Sequence, residues 1–130
     1  MSTYTEAWLH GPFNTQFYTR TYVPEDIQQV RAVIVFIHGF AEHVGRYTHF
    51  HSLFTLQGIS VFAIDQRGFG LTGQDVEKRS KGSAYGKTSW KEQMHDIAWS
   101  IERARETFKS VPVFLMGHSM VFDCVSFFGG

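Results

Sequence analysis

The chain has 130 residues, room for one domain of about average size, and its 12 Lys and Arg balance its 12 Asp and Glu. A formal charge of zero excludes a dominant basic footprint, so nucleic acid is not an expected partner. The single cysteine, Cys124, excludes an internal disulfide and points to a reducing, cytoplasmic setting; the opening Met1-Ser2-Thr3-Tyr4 lacks a signal-peptide pattern, and no apolar run reaches membrane-spanning length.

Residues 5–9 and 16–22 are predicted strands of a hairpin, turned at Gly11-Pro12-Phe13-Asn14. The second strand alternates, with Phe17, Thr19 and Thr21 on one face and Tyr18, Arg20 and Tyr22 on the other. Residues 32–37, Ala-Val-Ile-Val-Phe-Ile, are apolar throughout, as a strand covered on both faces of a parallel sheet would be. They run straight into His38-Gly39-Phe40-Ala41-Glu42-His43. Tyr47, Phe50, Leu53 and Phe54 recur at helical spacing, which predicts a helix over 46–57 with Gly58 as its C-cap. A second apolar strand at 59–64 ends in Asp65-Gln66-Arg67-Gly68-Phe69-Gly70, completing a right-handed strand-helix-strand unit. Residues 71–88 are polar and Gly-rich, and a surface loop is predicted there. Ser89-x-x-Glu92 is a capping box opening a long helix, in which Trp90, Met94, Ile97, Ala98, Ile101, Ala104 and Phe108 recur at helical spacing. A last short strand, residues 111–116, follows.

That strand delivers Gly117-His118-Ser119-Met120. A strand running into Gly-x-Ser is how a nucleophilic serine is presented on a sharp turn, and Gly117 has no Cβ to obstruct it. The usual glycine two residues after the serine is replaced by Val121. The fold class this order of elements predicts is α/β: an N-terminal hairpin plus a mostly parallel doubly wound sheet that ends at the nucleophile turn.

Four stretches together resemble one family. They are His38-Gly39-Phe40-Ala41-Glu42-His43 with Arg46-Tyr47, Asp65-Gln66-Arg67-Gly68-Phe69-Gly70, Ser80-Lys81-Gly82, and Val113-Phe114-Leu115-Met116-Gly117-His118-Ser119-Met120. In order and spacing they look like the monoacylglycerol lipases, within the serine-aminopeptidase-like branch of the α/β-hydrolases. Ala41 stands where the family more often has Gly. The resemblance implies that Ser119 is the nucleophile, forming an acyl-serine. It implies that the backbone N–H groups of Phe40 and Met120 form the oxyanion hole. His38 is expected to shape the loop, His118 to be packed or hydrogen-bonded beside the nucleophile, and Asp65 and Arg67 to hold a loop by hydrogen bonds. Glu42, His43 and His49 are not read as a metal site, and no cofactor is expected. The implied substrate is a small lipid ester, acylglycerol or lysophospholipid, met in the cytoplasm or at a membrane or lipid-droplet surface. Oligomeric state is left open.

The hydrolase order is Ser, then acid, then His, yet all seven histidines precede Ser119. Asp123 follows the serine too closely to be the family's acid. The expectation is therefore an N-terminal part of a hydrolase domain over 1–120, catalytically incomplete by itself, and an atypical tail over 121–130. Val121 and the run ending Phe127-Phe128-Gly129-Gly130 depart from the family, as read-through into an intron after Met120 would. The last strand is expected to be an apolar sheet edge prone to aggregation. The alternatives are a serine aminopeptidase or other small-ester hydrolase of the same branch, and a non-catalytic truncated isoform or gene model.

Overall fold

The computed structural model describes residues 4–118, so Ser119, Met120 and the tail at 121–130 lie outside the described residues. Strands β1 (Tyr4–Gly11) and β2 (Thr15–Tyr22) form the expected antiparallel hairpin, in register from Tyr4↔Tyr22 to Gly11↔Thr15. Its turn places Phe13 and Asn14 at positive φ (both 54°), a conformation that costs a bulky residue about 1 kcal/mol or more. The Arg67 guanidinium backs the turn: it donates to the Pro12 carbonyl at 2.8 Å and lies 5.3 Å from the Phe13 ring.

The apolar runs become β3 (Ala32–Ile37) and β4 (Ile59–Ile64), and β5 (Val113–Gly117) joins them. β3 pairs in parallel with both β4 and β5, and β2 pairs antiparallel with β4. The described sheet therefore runs β1-β2-β4-β3-β5, with β5 at one end and Phe114 56% exposed. Helix α1 (Thr48–Thr55) covers one face over Tyr18, Tyr22, Ile34, Phe36 and Val61. On the opposite face α3 (Trp90–Thr107) lies over Phe17, Val33, Val35, Ile37, Phe62 and Ile64. Each such buried apolar side chain is worth roughly 1.5–3 kcal/mol, so burial on both faces drives the sandwich.

Three local expectations need correction. The helix predicted from residue 46 begins two residues later, behind a 3-10 turn over Val44–Tyr47. The predicted loop opens with a short helix, α2 (Gly70–Gln74), because Asp65 organises its first turn. The Asp65 carboxylate accepts the Leu71 N–H at 2.9 Å, and its carbonyl accepts the Thr72 hydroxyl at 2.7 Å. On α3, Trp90 and Ala98 are exposed, while Asp96 and Ser100 are buried beside Ile97 and Ala104. The polar pair goes inside because Arg67 meets Asp96 with two bonds of 3.0 Å, and Ser100 donates to the Asp96 carbonyl at 2.8 Å. The capping residue behaves as read: Ser89 Oγ accepts the Glu92 N–H at 3.2 Å.

Each face buries ionisable side chains, and one on each marks a contrast. On the α3 face it is Asp96, paired with the buried Arg67. On the α1 face it is His51, boxed by Tyr22, Phe36, Tyr47 and Phe50, whose two ring nitrogens reach no hydrogen-bond partner among the described residues. Burial pushes the His51 imidazole down to about 4, and the Arg20 charge adds to the effect.

Candidate active site

β3 and β5 leave the sheet side by side. Ile37 is the register partner of Gly117, and the His118 N–H donates to the Ile37 carbonyl at 3.2 Å. The loop after β3 and the residue preceding Ser119 thus emerge from adjacent strand ends. In open α/β sheets ligands bind at the carboxyl ends of the strands.

The β3 loop is held from below by His38, which is fully buried. Its Nε2 accepts the Gln66 N–H at 2.9 Å, so Nδ1 carries the proton and donates to the Gly39 carbonyl at 2.7 Å. Gln66 Nε2 returns a bond to the His38 carbonyl at 2.6 Å. Burial lowers the His38 pKa, and with both nitrogens occupied the ring is a neutral strut joining the loops after β3 and β4.

Above it, Glu42 gathers the loop. Its Oε1 accepts the Gly39 N–H at 2.8 Å, and its own N–H donates to the Gly39 carbonyl at 3.2 Å. The same Oε1 accepts the Tyr47 hydroxyl at 2.5 Å, while Oε2 lies 3.4 Å from Arg46 Nη1. Burial alone would raise the Glu42 pKa, but the Tyr47 hydroxyl and the Gly39 N–H overcome it and hold the carboxyl below its ordinary value. Burial, reinforced by the bond to Glu42, pushes the Tyr47 phenol up to about 12. Ala41 sits at φ 62°, in the left-handed region, which is the physical reason a glycine suits this position. Phe40 is 60% exposed, with its ring 5.2 Å from buried Phe69. Among the described residues the Phe40 N–H donates to no acceptor.

The loop after β4 is structural in its contacts. The Asp65 carboxylate spans it, accepting the N–H of Val44 at 2.7 Å as well as that of Leu71. Arg67 spends its donors on Asp96, Thr15 and Pro12. Gly68, at φ 85°, has no room for a Cβ, which would sit 2.9 Å from the Lys87 N. Among the described residues no three His, Cys, Asp or Glu side chains gather as a metal set, and Glu42 is occupied with the loop instead.

Of the residues the sequence singled out, Phe40 lies on this loop, and Ser119 and Met120 fall outside the described residues. Glu42 and Tyr47 stood within the motif that carries the resemblance, but sequence reasoning gave them no part in the site. Their signal was present: a carboxylate three residues after Gly39 matches the reciprocal spacing of a capping box.

A profile of the family described as serine aminopeptidase, S33, matches residues 28–120. A protein of Schizosaccharomyces pombe is 40% identical over 89 residues, which are 68% of this chain and 22% of the relative. The monoacylglycerol lipase of Mycolicibacterium smegmatis is 34% identical over 90 residues, 69% of this chain and 29% of that protein. A thermostable carboxyl esterase of Bacillus coagulans, solved with glycerol, superposes with a TM-score of 0.75 at 26% identity, covering 91% of this chain and 37% of the esterase. The chain thus spans between a fifth and two fifths of the length of these proteins. With most of its length matched by the profile and its sheet shared with these hydrolases, the chain belongs to the serine aminopeptidase (S33) family of α/β-hydrolases.

Proposed function

We propose that this chain carries the nucleophile and oxyanion donors of a serine ester hydrolase acting on monoacylglycerols or similar lipid esters. The observation that carries the reading is the parallel pairing of β5 with β3, which brings the residue before Ser119 out of the sheet beside the Phe40 loop. In this reading Ser119 Oγ attacks the ester carbonyl and gives its proton to a base. Negative charge moves to the carbonyl oxygen, where the Phe40 and Met120 N–H groups receive it. One such donor is worth about 3 kcal/mol of barrier. The alcohol then leaves with a proton, and water releases the acid from the acyl-serine. The hydrolase order is Ser, then acid, then His, and all seven histidines precede Ser119, so the reading assigns the base and its acid partner to no residue of this chain. The substrate class follows the names of the similar lipases, and such esters reach an enzyme at a membrane or lipid-droplet surface. Among the described residues no helix is long and apolar enough to cross a membrane.

A fluorophosphonate probe tests this, with Ser119→Ala as the control. The expected result is labelling at Ser119 when the chain is joined to the C-terminal two thirds of the Mycolicibacterium smegmatis lipase, and none with the chain alone. A joined protein that folds and stays unlabelled overturns the nucleophile assignment. The family's description favours a second reading, an aminopeptidase. Turnover of an aminoacyl anilide in preference to a monoacylglycerol by the same joined protein selects it.

A further inference from the structure

The two oxyanion donors of the proposed site stand on different loops, and the covalent chain does not set their separation. Phe40 follows β3, whereas the donor after Ser119 follows β5. The β3–β5 pairing and the bond from the His118 N–H to the Ile37 carbonyl tie the strand ends, and beyond them the Glu42 carboxylate bridges the described parts of the two loops. Glu42 Oε1 accepts the Gly39 N–H at 2.8 Å and the Tyr47 hydroxyl at 2.5 Å, and it faces His118 Nδ1 at 3.4 Å. Tyr47 completes the bridge, its oxygen 3.2 Å from the same His118 nitrogen. Because the Tyr47 proton is given to Glu42, the hydroxyl oxygen can only accept from His118. That assigns the His118 proton to Nδ1, with Glu42 within reach of the same N–H.

We infer that Glu42 is a positioning residue for the oxyanion hole: its carboxylate clamps the loop after β3 to the residue preceding Ser119, by way of the Gly39 N–H, the Tyr47 hydroxyl and His118. The inference rests on the hydrolase reading for its purpose and on the measured contacts for its geometry. Taking the Gly39 N–H into the carboxylate also fixes the peptide that follows. This leaves the Phe40 N–H as the donor with no acceptor on the protein side among the described residues. Arg46, 3.4 Å from Oε2 and largely exposed, braces the carboxylate from the solvent side. His38 below the loop has both nitrogens engaged elsewhere and does not compete for Glu42.

The test is amide exchange and imidazole 15N NMR on the full chain, wild type against Glu42→Ala, Glu42→Gln and Tyr47→Phe. A hydrogen bond to a charged group protects its donor by roughly ten- to hundredfold. The Gly39 amide is therefore expected to exchange that much faster in Glu42→Ala, and by a smaller factor in Glu42→Gln, whose carbonyl still accepts. Amides of β3 keep their wild-type rates. The His118 proton, on Nδ1 in the wild type, loses that preference in Glu42→Ala and in Tyr47→Phe. Unchanged Gly39 exchange in Glu42→Ala overturns the inference. So does a collapse of β3 protection that Glu42→Gln fails to rescue, because that marks a general structural role. Tyr47→Phe leaves the carboxylate in place and reads the His118 arm even where Glu42→Ala does not fold. Serine labelling of the joined protein separates the two ideas: these NMR results without Ser119 labelling there keep the clamp and discard the hydrolase reading, and labelling without them does the reverse.

Discussion

The two faces of the sheet bury ionisable groups in opposite ways. On the α3 face Arg67 and Asp96 meet in a two-bond pair, and Thr15 and Pro12 take two further guanidinium donors. On the α1 face His51 is buried among aromatic rings with neither nitrogen bonded. The contrast shows what decides charge in an interior. Partners let a charged pair stay buried, and their absence forces a titratable ring to be neutral. It also separates two kinds of fragility, one to mutation and one to acid.

The largest effect is expected from breaking the pair. Asp96→Ala leaves the buried Arg67 guanidinium without its two-bond carboxylate, with only the partly exposed Glu92 at 3.8 Å remaining, and should lower stability by about 3 kcal/mol. The double variant Arg67→Met with Asp96→Ala should lose less than Arg67→Met and Asp96→Ala summed, because no lone buried charge remains. Denaturant melts of the four proteins measure this, and strict additivity would remove the pair from the account.

Acid tests the other face. His51 has a folded-state pKa of about 4 against 6.5 when free, so below pH 6.5 the unfolded chain binds a proton that the folded chain refuses. Stability contributed by the neutral ring is complete above pH 6.5, falls as pH drops toward 4, and levels off below that. The full loss is about 3 kcal/mol. In His51→Leu this part of the acid slope should vanish. Denaturation midpoints at pH 7, 5.5 and 4 for both proteins decide it, and parallel slopes would show that His51 is already solvated or bonded in solution. The smallest effect is expected at Ala41, which belongs to neither face. Ala41→Gly relieves the left-handed φ of 62° and should raise stability by at most about 1 kcal/mol, with no change in the acid slope. A thermal melt on each side of pH 6 checks both statements.

The same contrast explains what could be read from the sequence. Ala32–Ile37 and Ile59–Ile64 were legible as central strands because every residue is apolar or small, and the alternation of Phe17 and Tyr18 sorted the hairpin onto the right faces. The profile and the shared fold bear out the family that the motifs suggested. Asp96 and Ser100 were not legible. Helical spacing reads only the helix's own residues, and the reason for burying Asp96 is an arginine on another loop. Likewise α2 depends on the Asp65 carboxylate and carbonyl from the end of β4 more than on its own sequence, Gly-Leu-Thr-Gly-Gln. At the site, the loop was placed by the His-Gly pattern. The role of Glu42 needed the position of Tyr47, which the helical pattern had absorbed as an apolar contact.

The order of strands carries a consequence for synthesis. β4 can pair with β3 soon after it emerges, but the other side of β3 waits for β5, whose Val113 pairs with Val33 about 80 residues upstream. At translation rates of roughly 5–20 residues per second, that wait lasts on the order of 4–16 s. Throughout it an apolar strand offers a row of unpaired backbone groups to any chain nearby. β3 thus stays unpaired on one side for that interval, and the docking of β5 covers it while passing the open edge of the described sheet outward to β5 itself.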